Sequence, residues 1–277
     1  MISWQFIPFH IDPVIFSFGS FQLRYYGLMY LVAFAITYAL VRYRLRTEPR
    51  FNIPILTIED AFVWIIFGLI IGARIGDVIF YNLDYYFYRP WEIVLPFRFD
   101  NGFRFTGISG MSYHGGMIGA IVAGVIFCRK QKIDFWKFSD LLCPVIPLGY
   151  TFGRIGNFIN GELFGRITTM PWGMYFPLDP SNSLRHPSQL YEAFFEGIFL
   201  FALLWSIRTT KKFAGAMLCF YIMGYGVIRF VIEFSREPET GFIFANFTMG
   251  QVLCFLMFVC GGTLYAVLSR RNIKDTR

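Results

Sequence analysis

Charge is scarce in this chain of 277 residues: Asp, Glu, Lys and Arg together make up 16%, against 56% apolar and 21% aromatic side chains. That balance excludes a disordered chain and is too apolar for an ordinary soluble domain. Other signals are missing as well. No Lys or Arg precedes Arg24, so residues 1 to 13 lack the charged start of a secretory leader and are expected to stay as an interfacial arm. The five cysteines, Cys128, Cys143, Cys219, Cys254 and Cys260, form no CxxC pair and lie in apolar runs. They read as buried small hydrophobes, neither bridges nor metal ligands. Three histidines without an HExxH motif give no support for a metal site, and there is no P-loop. Ser109 and Ser112 lie close to His114 but outside any GxSxG context, which argues against a serine hydrolase. Any nucleophile is expected to belong to a substrate, and no cofactor is expected.

What the chain has is long apolar runs, near residues 19 to 41, 59 to 80, 111 to 128, 139 to 160, 188 to 207, 214 to 234 and 248 to 268. Each is long enough to span about 30 Å of hydrocarbon. The expected fold is therefore an all-α integral membrane protein of about seven transmembrane helices, with residues 1 to 277 forming a single polytopic domain. Two segments, residues 81 to 110 and 161 to 187, are rich in Pro, Gly, Asn and aromatics. They are expected to build a small head on the outer face. With the N-terminus outside, fifteen Lys and Arg fall in inner segments and six in outer ones, four more lying inside spans. That bias places the C-terminus in the cytoplasm. The formal charge of +7 is then explained by topology, without a nucleic-acid partner.

Small residues recur every fourth position at Gly68, Gly72 and Gly76, and again at Gly115, Gly119 and Ala123, rows that let helix backbones approach closely in lipid. Four arginines fall within the spans, where each needs a carboxylate, a water-filled cavity or an anionic ligand. Arg24 sits at the span edge and is able to snorkel. Arg74 lies three residues before Asp77, on one helix face, and reads as a self-neutralised pair. Arg154 begins a stretch crowded with glycines and amides, through Asn157 and Asn160 to Glu162. Either an anion docks there or Arg154 pairs with Glu162. Arg229 and Arg236 flank Glu233 on one stripe, which leaves a positive surplus suited to a second anion contact, or a structural triad. His114 opens a helix at the outer boundary, where it is an interfacial hydrogen-bonding residue or a base beside a phosphate cavity.

At these residues the chain resembles the prolipoprotein diacylglyceryl transferases of bacteria. The likeness runs from Arg24-Tyr25-Tyr26-Gly27 through Gly72-Ala73-Arg74-Ile75-Gly76 and Met111-Ser112-Tyr113-His114-Gly115-Gly116. Its longest signature is Gly153-Arg154-Ile155-Gly156-Asn157-Phe158-Ile159-Asn160-Gly161-Glu162-Leu163-Phe164-Gly165-Arg166. It continues in Arg185-His186-Pro187-Ser188-Gln189-Leu190-Tyr191-Glu192, in Tyr225 through Arg229, Glu233 and Arg236, and in Phe247-Thr248-Met249-Gly250-Gln251. The resemblance implies an enzyme of the bacterial cytoplasmic (inner) membrane, multi-pass, with its site toward the outer leaflet. It would move the diacylglyceryl group of phosphatidylglycerol to the lipobox cysteine of a prolipoprotein signal peptide, forming a thioether and releasing glycerol phosphate. It further implies His114 and Arg229 as catalytic residues. Arg154, Asn157, Tyr26, Glu162, Gly165, Tyr225, Glu233 and Arg236 would bind substrate.

The chemistry is consistent with that assignment. Phosphatidylglycerol is an anion, which Arg154 and Arg229 suit, and a thiol of ordinary pKa, about 8.5, gains from a base. A transporter for an anionic lipid would also want cavity arginines, but it should show symmetric halves and access to both faces. Here the polar groups crowd the outer half. A purely structural membrane partner would leave the signature around Arg154 unexplained.

Overall fold

The computed structural model describes residues 4–18, 21–94, 97–98, 104–105, 110–210, 213–237 and 247–275. Its helices are α1 (Tyr25–Thr47), α2 (Ile55–Phe80), α3 (Leu83–Phe87), α4 (Tyr113–Lys130), α5 (Phe135–Leu142) and α6 (Ile146–Ile159), then α7 (Ser188–Tyr191). A π-helical stretch, Glu192–Phe199, joins α7 to α8 (Leu200–Ile207), and α9 (Ala216–Ile232) and α10 (Met249–Asp275) follow. Two antiparallel ribbons pair β1 (Val14–Phe18) with β2 (Phe21–Arg24) and β3 (Phe97–Arg98) with β4 (Arg104–Phe105). Ser109, Lys211, Lys212, Arg277 and much of the loop expected over residues 81 to 110 lie outside the described residues. The chain divides into two compact units, Met1–Glu48 with Ser139–Arg277, and Pro49–Phe138.

Among the described residues, four helices are long and apolar enough to cross a bilayer: Tyr25–Thr47, Ile55–Phe80, Ser188–Ile207 and Met249–Asn272. On α2 the side chains of Val63, Phe67, Ile71, Ile75 and Ile79 are exposed, a face suited to hydrocarbon and unsuited to water. The other three expected spans are shorter. α4 has 18 residues and α9 has 17, while the expected span over residues 139 to 160 is not one helix. It divides between α5 and α6, because Pro144 cannot donate to a helical ladder and Pro147 fits only the first turn of the next helix. With 14 residues, α6 rises only about 21 Å.

The first expected span is displaced too. Residues 14 to 18 and 21 to 24 are taken up by the β1–β2 ribbon, and α1 begins at Tyr25 and continues to Thr47. Arg44, expected as a loop charge, therefore rides on α1 and is fully buried. Its Nε lies 2.6 Å from Glu48 Oε1, and its Nη1 donates to the carbonyls of Asp140 and Leu141 at 2.8 and 2.6 Å. Asp140 in turn accepts the backbone N–H groups of Gly215 and Met217 at 2.9 and 2.8 Å. These bonds fasten the end of α1 and the start of α9 to Asp140 and Leu141 of α5.

In the second unit the glycine rows of α2 and α4 face each other. A Cβ on Gly72 would strike the Gly115 carbonyl, and one on Gly119 would strike that of Gly68. Only glycine permits this approach. Arg74 is less of an ion pair than its spacing suggests. Its nearest Asp77 contact is 3.8 Å, whereas it donates to the carbonyls of Glu92 and Ile93 at 2.6 and 2.8 Å. Four of the cysteines are buried as expected, but Cys260, on α10, is exposed.

Near the N-terminus, a 3-10 helix, Trp4–His10, leans on the loop that follows α6. Phe6 stacks on Tyr175 with ring centroids 4.8 Å apart, and the Tyr175 N–H donates to the Gln5 carbonyl at 2.9 Å.

Candidate active site

Within the first unit, α6, the π-helical stretch and α9 direct their only charged side chains at one another. Arg154 of α6 reaches Glu192, its Nε 2.7 Å from Oε2 and 2.6 Å from the Tyr150 hydroxyl. Arg229 of α9 donates from Nη1 to Glu192 Oε1 at 3.0 Å, and its Nη2 lies 3.1 Å from Glu233 Oε2. Arg236, just beyond α9, donates to the same Glu192 Oε1 at 2.6 Å. Glu192 is thus the hub of three guanidinium groups and is 1% exposed. Glu196, one turn later, accepts the Tyr150 hydroxyl and lies 3.5 Å from Arg229 Nη1. A π-helical turn at this point re-aims side chains that an α-helix would space differently.

The expected surplus of positive charge is absent. Three arginines meet three carboxylates, Glu192, Glu196 and Glu233, so the formal charges cancel. The surplus was inferred from Arg229, Glu233 and Arg236 alone, and the carboxylates that offset it arrive from a different helix. Arg154 does not pair with Glu162 either. Its Nη1 donates to Asn157 Oδ1 at 3.2 Å, and Asn157 Nδ2 donates to Glu162 Oε1 at 2.9 Å, so the amide bridges the two. Among the described residues, Arg154 Nη2 donates no hydrogen bond to protein.

Tyr26 stands at the second position of α1, its hydroxyl 3.0 Å from that of Tyr30, and its ring packs against Gly156 of α6. Tyr225 of α9 meets the Tyr150 ring edge to face, centroids 6.2 Å apart. Glu233 accepts the Thr248 hydroxyl at 3.1 Å, and a Cβ on Gly250 would lie 2.5 Å from Glu233 Oε1. That contact explains the Phe247 to Gln251 motif as the seat of this carboxylate. Gly165 N–H donates to the His186 carbonyl at 2.8 Å, and the glycine bridges to Arg236 in antiparallel fashion. A Cβ there would run into the Ser235 carbonyl, so Gly165 lets the loop lie directly against the segment bearing Arg236. In the second unit, His114 is the second residue of α4 and is exposed, beside Ser112, whose hydroxyl caps the helix by accepting the Gly115 N–H at 3.3 Å. That cap is a structural use for Ser112.

The loop of residues 161 to 187 is tied to the cluster by neutral and charged bonds. Gln189 Nε2 donates to the Glu162 carbonyl at 2.6 Å, and Ser188 Oγ donates to that of Leu163 at 3.1 Å. Further out, buried Asp179 accepts Arg185 Nε and Nη2 at 2.8 and 3.0 Å and is also bonded by Ser181 and Ser183. The Arg185 hydrogen bonds, seconded by those serines, hold the Asp179 carboxyl down to about 2. Partial burial lowers the His186 imidazole below its ordinary value, and its Nδ1 lies 3.1 Å from the Tyr191 hydroxyl.

Glu196 and Tyr150 were not anticipated from the sequence, and Glu192 carried no role beyond closing a motif. The available signal was the pair Glu192 and Glu196, one turn apart in an otherwise apolar run, since carboxylates at that depth require partners.

The fold and site together define a helical membrane protein with a buried arginine and carboxylate cluster under a polar loop. The family model described as prolipoprotein diacylglyceryl transferase matches residues 13–267, and the chain belongs to this family. It is 52% identical over 261 residues to the phosphatidylglycerol–prolipoprotein diacylglyceryl transferase of Chlorobaculum tepidum, a match covering 93% of this chain and 90% of that protein. The enzyme of the same name from Campylobacter hominis is 42% identical over 281 residues, covering 100% of this chain and 98% of the relative. That of Bordetella avium is 42% identical over 266 residues, covering 95% and 97%.

Proposed function

We propose that this protein transfers the diacylglyceryl group of phosphatidylglycerol to the lipobox cysteine thiol of prolipoprotein signal peptides. The observation that carries the reading is the anchoring of Arg154 and Arg229 on opposite oxygens of one buried glutamate. Guanidinium groups fixed in advance suit a phosphate that gains charge during reaction. The sulfur–carbon bond forms as the carbon–oxygen bond to phosphate breaks, and the electron pair leaves on the phosphate oxygen. Arg154 and Arg229 stabilise that oxygen, and glycerol phosphate departs. His114 takes the thiol proton. Asn157, Glu162, Tyr26, Tyr225, Glu233 and Arg236 shape and hold the pocket, and Gly165 closes the loop over it.

In this reading the chain crosses the bacterial cytoplasmic membrane about seven times, N-terminus outside and C-terminus inside, with the loops of residues 81 to 110 and 161 to 187 forming an outer head. The fifteen to six distribution of basic residues supports that orientation. Phosphatidylglycerol and the signal peptide both reach the site from the membrane, and nucleic acid plays no part. The test is incubation of purified protein with phosphatidylglycerol and a lipobox peptide. Mass spectrometry should find a diacylglyceryl adduct on cysteine; an unmodified peptide would refute the reading.

A further inference from the structure

Three arginines alone would make a strong phosphate trap, and the reaction proposed above makes that a difficulty. The departing phosphate monoester carries about −1.5 to −2 charge, against −1 for the diester that enters. A cluster with surplus positive charge would therefore hold product more tightly than substrate, and release then limits turnover.

The three carboxylates are not equivalent in meeting this problem. Glu192 contacts all three guanidiniums, and both of its oxygens are engaged. Glu233 is seated by the Thr248 hydroxyl and lies 3.1 Å from Arg229. Glu196 is different. It is 1% exposed, and its Oε2 accepts the Tyr150 hydroxyl at 2.5 Å. Its Oε1 lies 3.5 Å from Arg229 Nη1 and accepts no hydrogen bond. Arg229 is already held by Glu192 and Glu233, so Glu196 is not needed to orient it. A glutamine amide oxygen would still accept the Tyr150 hydroxyl, though more weakly than a carboxylate. What the carboxylate adds is negative charge beside Arg229, in a buried setting where charge acts strongly.

We propose that Glu196 tunes how tightly the arginine cluster holds phosphate, weakening retention of the glycerol phosphate product so that it leaves. In this proposal Glu196 acts through its charge on Arg229, 3.5 Å away, and takes no part in the bond changes. The inference rests on the transferase reading but makes a separate prediction about phosphate affinity.

The test uses the full chain in detergent micelles. Glycerol phosphate is titrated by calorimetry, and kcat and KM are measured with phosphatidylglycerol and a lipobox peptide. Glu196→Gln is expected to bind glycerol phosphate about tenfold more tightly than wild type, to lower KM by a smaller factor and to lower kcat. A residue that merely supported the fold would instead weaken glycerol phosphate binding and raise KM as kcat fell. Weaker or unchanged glycerol phosphate binding in Glu196→Gln overturns the proposal. Should that variant fail to fold, Glu196→Asp keeps the charge and should bind within about twofold of wild type; a tenfold change in either direction overturns the proposal. If wild type transfers nothing from phosphatidylglycerol yet binds glycerol phosphate, the transferase reading falls, and the titration still decides the role of Glu196. If wild type binds no glycerol phosphate, the proposal falls with it.

Discussion

Arg154 Nε lies 2.7 Å from Glu192 Oε2, joining α6 to a helix that begins beyond the whole intervening loop. Because Glu192 also holds Arg229 and Arg236, its loss leaves three cationic groups short of their shared partner. Breaking a buried ion pair typically costs about 3–5 kcal/mol. Glu192→Ala should therefore lower the melting temperature in detergent and abolish transfer together. An intact melting temperature would show that the hub is dispensable to the fold.

Arg154→Ala and Arg229→Ala should each strongly reduce transfer while the helices persist by circular dichroism. Lysine at either position should rescue only partly, since an ammonium cannot serve several acceptors with the guanidinium fork. Full activity in Arg154→Ala would assign that residue to structure alone.

Gly165→Ala forces a methyl group into the Ser235 carbonyl. The expected result is loss of transfer with the loop of residues 161 to 187 opened to protease, while the apolar helices stay protected. Unchanged loop protection would mean that the backbone yields easily.

The Asp179–Arg185 pair predicts an acid limit for the same loop. Asp179 is held at about 2 in the folded protein, below an unfolded carboxyl near 3.9. Its stabilising contribution is thus complete above about pH 4 and is lost as pH falls toward 2. Limited proteolysis across that range should show the wild-type loop opening only in acid. Asp179→Asn should open it at neutral pH, and equal protection of the two proteins at pH 7 would contradict the assignment.

His114→Gln should depress transfer by about 100-fold, the usual scale for a general base. Raising the pH should partly restore the variant, since more peptide thiol then ionises unaided. Lost activity with an unaltered pH profile would make His114 an orienting group.

The apolar helices were legible because length and hydropathy alone decide them, and the glycine rows of α2 and α4 correctly announced a close approach. The break at Pro144 and Pro147 was legible in principle, yet the apolar run through Cys143 and Val145 masked it. The β1–β2 ribbon was not foreseen, because its residues are apolar enough to pass for the start of a span. Of the proposed site residues, Arg154, Asn157, Glu162, Arg229, Glu233 and Arg236 could be named from spacing and family likeness. Their partners could not. Spacing within one helix cannot reveal a carboxylate from another, so Glu192 and Glu196 stayed hidden and the charge balance came out wrong. Arg44 shows the same limit, its burial depending on Asp140 and Leu141 nearly a hundred positions away.

The central claim is that this arginine cluster binds the phosphate of phosphatidylglycerol while the diacylglyceryl group passes to a thiol. The most direct measurement follows both products in one reaction, the thioether adduct on a lipobox peptide by mass spectrometry and free glycerol phosphate by chromatography, for wild type and for Arg229→Ala. The account predicts equal molar amounts of the two from wild type and neither above background from the variant. Glycerol phosphate released without adduct, or an adduct formed at the wild-type rate by Arg229→Ala, would contradict it.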